Sequence, residues 1–250
     1  MSAILRIILI SFVAGAVGTT LGGVLGILIK RPSKGYIACM LSFAAGAMLG
    51  MSIFEMMPEA AALGGVFVLM TGLTLGVVVM LLLRVLMDRG GGQEVIEHGA
   101  SIDKRKLLAV GLAIFAAIVL HDLPEGMAIG AGEHIGIGLS LGVAMLLHNI
   151  PEGMAIAIPL KASNVSNAKI LGLAFLAGVP TIFGAVLGYF VGINNIMIAL
   201  MLAFAAGVML YVILAQMLPA IYKQSNNYHM VMACIIAGVV MIAVFSSVLH

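Results

Sequence analysis

The segment HDLPEGMAIG at residues 121–130 is followed by HNIPEGMAIA at residues 148–157, so nearly the same polar motif occurs twice, 27 residues apart. Each copy places a His, an Asp or Asn, a Pro and a Glu among apolar neighbours. Polar side chains that recur at one spacing in apolar surroundings indicate a shared site rather than an accident of packing.

The chain as a whole is strongly apolar. Of its 250 residues, 63% are hydrophobic and 9% are charged, with a mean hydropathy of +1.23, whereas about 25% of the residues in soluble domains are charged. The composition predicts an integral membrane protein. The apolar runs lack strand alternation and are too long for barrel strands, so the backbone must satisfy its hydrogen bonds inside helices. The predicted fold class is therefore all-α.

Eight apolar runs come close to the roughly 20 residues that cross a bilayer. We number them spans 1 to 8, at 4–29, 36–57, 64–87, 107–130, 137–160, 168–192, 195–220 and 229–249. Span 1 is too long for the apolar part of a secretory signal and is predicted to be retained. Residues 1–250 are expected to form a single transmembrane domain.

The basic residues predict the orientation of the chain. If both termini are non-cytoplasmic and the spans alternate, only Arg6 of the 12 Lys and Arg residues lies outside. This bias favours a multi-pass protein of the cell membrane with eight crossings. The residues placed inside are Lys30, Arg31, Lys34, Arg84, Arg89, Lys104, Arg105, Lys106, Lys161, Lys169 and Lys223.

One connection is long, at about 88–106, and its Gly-rich, mixed-charge composition is typical of a mobile cytoplasmic loop. Its basic residues set topology and contact anionic headgroups, so no nucleic-acid partner is expected. Cys39 and Cys234 lie inside predicted helices. We expect them to be small packing residues rather than a disulfide or a metal pair.

A second repetition links distant spans. FAAGAMLGMSIFEMMP at 43–58 aligns without a gap with FAAGVMLYVILAQMLP at 204–219. On the predicted topology span 2 runs outward and span 7 inward, so spans 1–3 and 6–8 form an inverted pair around spans 4 and 5. Secondary transporters have such inverted repeats, with their sites near the bilayer midplane.

The repeated motif supplies potential metal ligands at helical spacing. His and Glu at i,i+4 project from one face of a helix, with the intervening Asp or Asn at its edge. Both copies lie near mid-bilayer, where ionisable groups are costly. Facing helices would offer one set of His121, Glu125, His148 and Glu152 and another of Asp122, Glu125, Asn149 and Glu152. The first suits zinc or ferrous iron and the second is harder, so two shared glutamates predict a binuclear centre.

Proline within each copy supports this interpretation. Pro124 and Pro151 cannot donate a hydrogen bond to the preceding turn, so each is expected to kink its helix and expose a backbone carbonyl beside the cluster. Irregular backbone at this depth is tolerated where it lines a cavity.

The paired H-x-x-P-E-G motifs, eight spans, outside termini and long loop closely resemble the ZIP (Zrt-, Irt-like) family of divalent-metal transporters, in particular its short prokaryotic members. The resemblance covers essentially the whole chain. It implies import of zinc, or of iron, cadmium or manganese, into the cytoplasm as substrate rather than cofactor, and a homodimer. Carried over by position, it implicates His121, Asp122, Glu125, His148, Asn149 and Glu152.

The chain departs from the family pattern at two places. Many relatives have Glu-Pro in span 6, whereas Val179 precedes Pro180 here, so a sixth-span carboxylate ligand is absent. The loop at 88–106 carries His98 alone where other members are His-rich.

Several other polar or sulfur-containing residues have less specific signals. Met48 and Met209 match in the second repeat and are expected to be packing residues. Glu55 and its match Gln216 lie near helix ends, where a mouth of the path and the membrane interface are equally good interpretations. Solvated positions are expected for His134, His229 and His250.

Two alternatives to divalent-metal transport exist. An intramembrane metal-dependent hydrolase could also use buried His and Glu, but its usual H-E-x-x-H string is absent and no spare base is evident. A carrier for an organic or anionic solute conflicts with three carboxylates at the midplane. The chain is therefore not expected to be an enzyme.

Overall fold

The computed structural model describes residues 2–28, 33–89, 104–192 and 194–249. Every element in these ranges is helical, which confirms the all-α class. Most of the predicted loop at 88–106 lies outside the described residues. The α-helices are α1 Ala3–Phe12, α2 Gly18–Leu28, α3 Lys34–Met51, α4 Met57–Arg89, α5 Lys104–Gly132, α6 Gly138–Ala162, α7 Asn167–Val191, α8 Asn195–Val212, α9 Leu218–Gln224 and α10 Tyr228–Leu249.

Three π-helical turns join helices that are continuous along the chain. Val13–Val17 joins α1 to α2, Ser52–Met56 joins α3 to α4, and Ile213–Met217 joins α8 to α9. The second and third of these turns occupy matching positions of the 43–58 and 204–219 repeat, five residues each. The repeated sequence therefore carries a repeated backbone irregularity, which helix packing alone would not require.

Seven helical stretches among the described residues are long and apolar enough to cross a membrane. One of them, Lys34–Leu82, has 49 residues, more than twice what a bilayer needs. It contains a break at Gly65, whose φ of 74° and ψ of 172° are not helical. The helix α3, which precedes the break, packs against α10. The helix α4, which contains the break, packs against α8. Eight crossings, with α3 and α4 as spans 2 and 3, remain a prediction.

The helices form two groups. Bundle A contains α1, α2, α5, α6 and α7, in which α2 packs on α6, and α5 packs on both α6 and α7. Bundle B contains α3, α4, α8, α9 and α10. The two bundles meet where α5 contacts α8 and where α3 contacts α6. Both copies of the repeated polar motif lie in bundle A.

Close helix contacts in bundle A occur in matched pairs. A Cβ atom on Gly22 of α2 would collide with the carbonyl oxygen of Ile150 in α6. The same collision would occur between Gly184 of α7 and the carbonyl of Leu123 in α5. Gly22 and Gly184 are 162 residues apart, and Leu123 and Ile150 are 27 apart. The contact between α2 and α6 is thus repeated between α7 and α5.

Bundle B follows the same rule. Gly46 of α3 meets the carbonyl of Ile235 in α10, and Gly207 of α8 meets the carbonyl of Leu73 in α4. Gly46 and Gly207 are 161 residues apart, the offset of the second sequence repeat. Spans 2 and 8 are therefore related to spans 7 and 3.

The relative direction of spans 1 and 6 follows from their contacts. Gly15 lies against Gly178, whereas Gly23, further along the chain, lies against Leu171. The partner number falls as the first number rises, so the two spans run antiparallel. Related spans of opposite direction are what the predicted inverted repeat requires.

The prediction for the cysteines was wrong. Cys39 in α3 and Cys234 in α10 form a disulfide, with their Cα atoms 5.6 Å apart and a sequence separation of 195. The small residues on the facing surfaces of these helices allow close approach. Local sequence does not reveal which helix faces meet, and this is why the pairing was not expected.

Candidate metal site

The six predicted site residues lie on α5 and α6, the two central helices of bundle A. Both helices continue through their prolines, Pro124 and Pro151, and each proline leaves the carbonyl of the preceding turn without its usual donor. The six residues are at most 3% exposed. They are His121, Asp122 and Glu125 on α5, and His148, Asn149 and Glu152 on α6.

Two histidine–glutamate pairs cross between the helices. His121 Nε2 lies 3.3 Å from Glu152 Oε1, and His148 Nε2 lies 3.2 Å from Glu125 Oε2. Each pair takes its His from one helix and its Glu from the other, so the two pairs are related by the same symmetry as the sequence repeat. Imidazole nitrogen and carboxylate oxygen are the ligand atoms that zinc prefers after thiolate.

One group of potential ligand atoms among the described residues combines members of both predicted sets. Ligand atoms of His121, Asp122 and Glu152 all lie within 4.8 Å of one another. His121 Nε2 is 3.5 Å from Asp122 Oδ1 and 4.0 Å from Glu125 Oε1. Contacts also link the four residues of the predicted His-containing set, so the division into two sets stays a prediction.

Several oxygens of the site are acceptors without donors. Asp122 Oδ1, Glu125 Oε1 and Asn149 Oδ1 are buried and have no hydrogen-bond partner among the residues that the structure describes. Buried polar atoms are normally satisfied, and leaving them unsatisfied costs free energy. Three buried acceptors on neighbouring residues fit a bound cation, which needs no donor hydrogen.

Two side chains of the site are oriented by backbone carbonyls. The Nδ1 of His148 lies 3.1 Å from the Ala144 oxygen, and donation from this nitrogen leaves Nε2 as the ligand atom. The Asn149 amide donates through Nδ2 to the Ala14 carbonyl at 2.9 Å. Ala14 belongs to the π-helical turn of span 1, and its bond leaves Asn149 Oδ1 as the acceptor of the site.

The sequence analysis missed Thr181 of α7. Its hydroxyl donates to Asp122 Oδ2 at 3.4 Å, and the side chain is fully buried. Val179, at the position where many family members have Glu, instead lines an apolar groove of about 340 Å³ with Pro180 and Phe183. The signal that could have found Thr181 is its match to Thr19, 162 residues earlier.

The residues with less specific signals have mixed outcomes. Met48 and Met209 are fully buried, as packing predicts, and Ser52 Oγ lies 3.4 Å from Met209 Sδ. Glu55 is 4% exposed inside a π-helical turn, so it does not lie at an exposed interface. His134 is exposed but lies 2.7 Å from the Tyr189 carbonyl and stacks on that ring.

His229 is exposed, as predicted. His98 and His250 lie outside the described residues.

Comparison with known proteins gives a consistent result. The family profile described as "ZIP Zinc transporter" matches residues 89–246. A protein named "Zinc transporter ZupT" from Chlorobaculum parvum is 31% identical over 245 residues, covering 90% of this chain and 91% of that protein. Its namesake from Chlorobium luteolum is 31% identical and covers 94% and 95%. The one from Streptococcus mutans is 28% identical and covers 90% and 91%.

Proposed function

This chain belongs to the ZIP family of zinc transporters, and we propose that it carries zinc across the membrane into the cytoplasm. The transported ion would bind between α5 and α6, at the six site residues of the repeated motif. Iron, cadmium and manganese are the alternative ions, because the donor set mixes imidazole nitrogen with carboxylate and amide oxygen.

The observation that carries the proposal is the set of buried oxygens without donors, next to two crossed histidine–glutamate pairs. Two histidines, three carboxylates and an amide at the centre of a membrane bundle are costly unless they serve an ion path. Similarity to proteins named as zinc transporters supports zinc as the ion.

The geometry supports two neighbouring ion positions. His121, Asp122 and Glu152 would provide the first, and Glu125 with His148 would provide the core of the second. Asn149 would add its free amide oxygen to the second position. In this binuclear arrangement the absent span 6 carboxylate leaves the second position with the weaker ligand set.

A transporter is favoured over a metal-dependent hydrolase by particular features. The sequence lacks H-E-x-x-H, and all three carboxylates of the site are used in the proposed ion positions, so none is left as a separate base. The matched contacts of the two halves also support alternating access, in which a symmetric molecule opens to one side and then to the other. A homodimer, eight crossings and non-cytoplasmic termini complete the proposal.

The test is uptake of a panel of divalent ions into proteoliposomes under imposed pH gradients. Zinc uptake should saturate in the parent and should be abolished by Glu125→Ala or Glu152→Ala, whereas Asn149→Ala should be milder. Glu59→Ala, which removes a carboxylate of α4 outside the site, should leave uptake unchanged. Parental zinc uptake by Glu125→Ala at limiting zinc would show that the proposed site is wrong.

A further inference from the structure

Thr181 is packed against glycines of two other spans. A Cβ atom on Gly126 of α5 would collide with the Thr181 carbonyl, so this part of α7 lies directly on the turn of α5 that follows Asp122. A Cβ atom on Gly15 would collide with Thr181 Oγ1 and Cβ. Gly15 of span 1 therefore leaves the space that the Thr181 side chain fills, and Gly126 of span 4 lets the backbone at Thr181 lie close to α5.

This packing determines where the hydroxyl points. A β-branched side chain has few χ1 choices in a helix, and Gly15, which faces Thr181 Oγ1 and Cβ, restricts them further. The hydroxyl faces Asp122 Oδ2 at 3.4 Å, which is longer than the usual range of about 2.5–3.0 Å for an O–H···O hydrogen bond. The other carboxylate oxygen, Oδ1, is then left toward His121 Nε2 at 3.5 Å.

The symmetry-related threonine does something different. Thr19 Oγ1 lies 2.7 Å from the Ala174 carbonyl and 2.9 Å from the Gly15 carbonyl. Its hydroxyl therefore satisfies backbone oxygens and is not bonded to a side chain of the site. The two threonines share position, burial and residue type, and they differ in whether a carboxylate of the site receives their hydrogen bond.

We propose that Thr181 is a positioning residue of the metal site, which fixes the Asp122 carboxylate so that Oδ1 faces the ion. The inference rests on the proposed function, because it names a further determinant of the same site. Span 6 then contributes to ion binding through a hydroxyl that orients a ligand, in place of a carboxylate that would itself be a ligand. Partners that orient metal ligands typically change metal affinity by about 10- to 100-fold.

The experiment measures zinc affinity of the purified full chain by isothermal titration calorimetry, together with KM and kcat for uptake. Thr181→Val removes the hydroxyl and nearly preserves the volume, so the Kd and KM for zinc should rise about tenfold or more with kcat little changed. Thr181→Ser keeps the hydroxyl and should restore most of the affinity. Thr19→Val, the matched control, should leave Kd and KM within about twofold of the parent.

A double-mutant cycle identifies the route of the effect. In an Asp122→Ala background Thr181→Val should cause no further rise in Kd, because there is no carboxylate left to orient. If Thr181→Val fails to fold, Thr181→Ala removes the hydroxyl without placing a methyl group against the carboxylate, and the same results are expected.

Different outcomes would overturn different statements. A hydroxyl-free variant with parental Kd, or one whose effect persists in full without Asp122, would refute the positioning role while leaving the proposed transport intact. A parent that neither binds nor transports zinc would instead refute the proposed function, and this inference with it.

Discussion

Asp122 and Asn149 occupy equivalent positions in the two copies of the repeated motif, yet their hydrogen bonds differ. Asp122 accepts from a hydroxyl of α7, whereas Asn149 donates to a carbonyl of span 1. A carboxylate cannot donate and an amide can, so each residue type fits its own neighbour. At the scale of single residues, the symmetry of the site is broken where the neighbouring groups require it.

Exchanging the amide for a carboxylate should therefore destabilise the protein. In Asn149→Asp the carboxylate would lie against the Ala14 carbonyl with no donor between them, at a cost of about 1–3 kcal/mol. We expect a lower melting temperature for the zinc-free protein in detergent. Asn226→Asp, the same change at an exposed position outside the helices, should melt like the parent. Parental stability of Asn149→Asp would show that the bond to Ala14 is not needed.

The sequence predicted these residues unevenly. His121, Glu125, His148 and Glu152 follow from spacing within a single helix, because i,i+4 side chains share a face wherever the helix is placed. Thr181 and the Ala14 carbonyl come from other spans, and their arrival at the site depends on the register between helices. No local spacing encodes that register.

Neighbouring helices in this fold pack closely at glycines that contact the backbone carbonyls of the other helix. Gly22 on α6 and Gly184 on α5 are the clearest matched pair, since both face a carbonyl one residue before a motif proline. At such contacts a methyl group requires the whole helix to move, because a backbone oxygen cannot turn aside as a flexible side chain can. Helix approach through small residues is the usual source of stability between membrane helices.

Alanine at these two positions should have equal effects. Gly22→Ala and Gly184→Ala should each destabilise the protein by about 1–3 kcal/mol through overpacking, and both should lower the melting temperature. Gly172→Ala is the control, because a Cβ there has no neighbour within 4 Å. Alanine is the better helix former, so this variant should melt at or above the parental temperature. Unequal effects of the matched pair would contradict the internal symmetry.

The break at Gly65 allows a test of the number of crossings. In a background without Cys39 and Cys234, Val66→Cys places a thiol at a position that is 70% exposed beside the break. If α3 and α4 cross separately, a membrane-impermeant reagent should label it from the side opposite the loop at 88–106. Lys223→Cys should react from the same side as that loop. Labelling of both from one side would refute eight crossings.

The whole molecule combines two bundles whose contacts repeat at offsets of 161 and 162 residues. Repeated segments and positive charge bias indicated this inverted architecture from the sequence, and hydropathy indicated its helices. The sequence could not indicate that spans 2 and 8 lie side by side, and the unexpected disulfide is a consequence of that contact. The pairing of distant helices depends on which of their faces meet. A hydropathy profile does not distinguish one apolar face from another.

Inverted halves predict opposite accessibility at matched positions. Ser52 and Ile213 begin the two matched π-helical turns and are both buried in this structure. As single cysteines in a background without Cys39 and Cys234, they should respond in opposite senses. Conditions that favour outward opening should increase impermeant thiol labelling at 52 from outside and decrease cytoplasmic labelling at 213. Parallel changes would indicate a continuous channel.

The single-residue break at Gly65 has a consequence for how cargo reaches the protein. On the face opposite the loop at 88–106, the predicted topology places three connections between spans, at Gly65, at 133–137 and at 192–194. Three such brief links provide little surface on which a soluble metal chaperone could dock. We therefore expect the rate of zinc capture from that side to follow the free ion concentration, which uptake at buffered free zinc would measure.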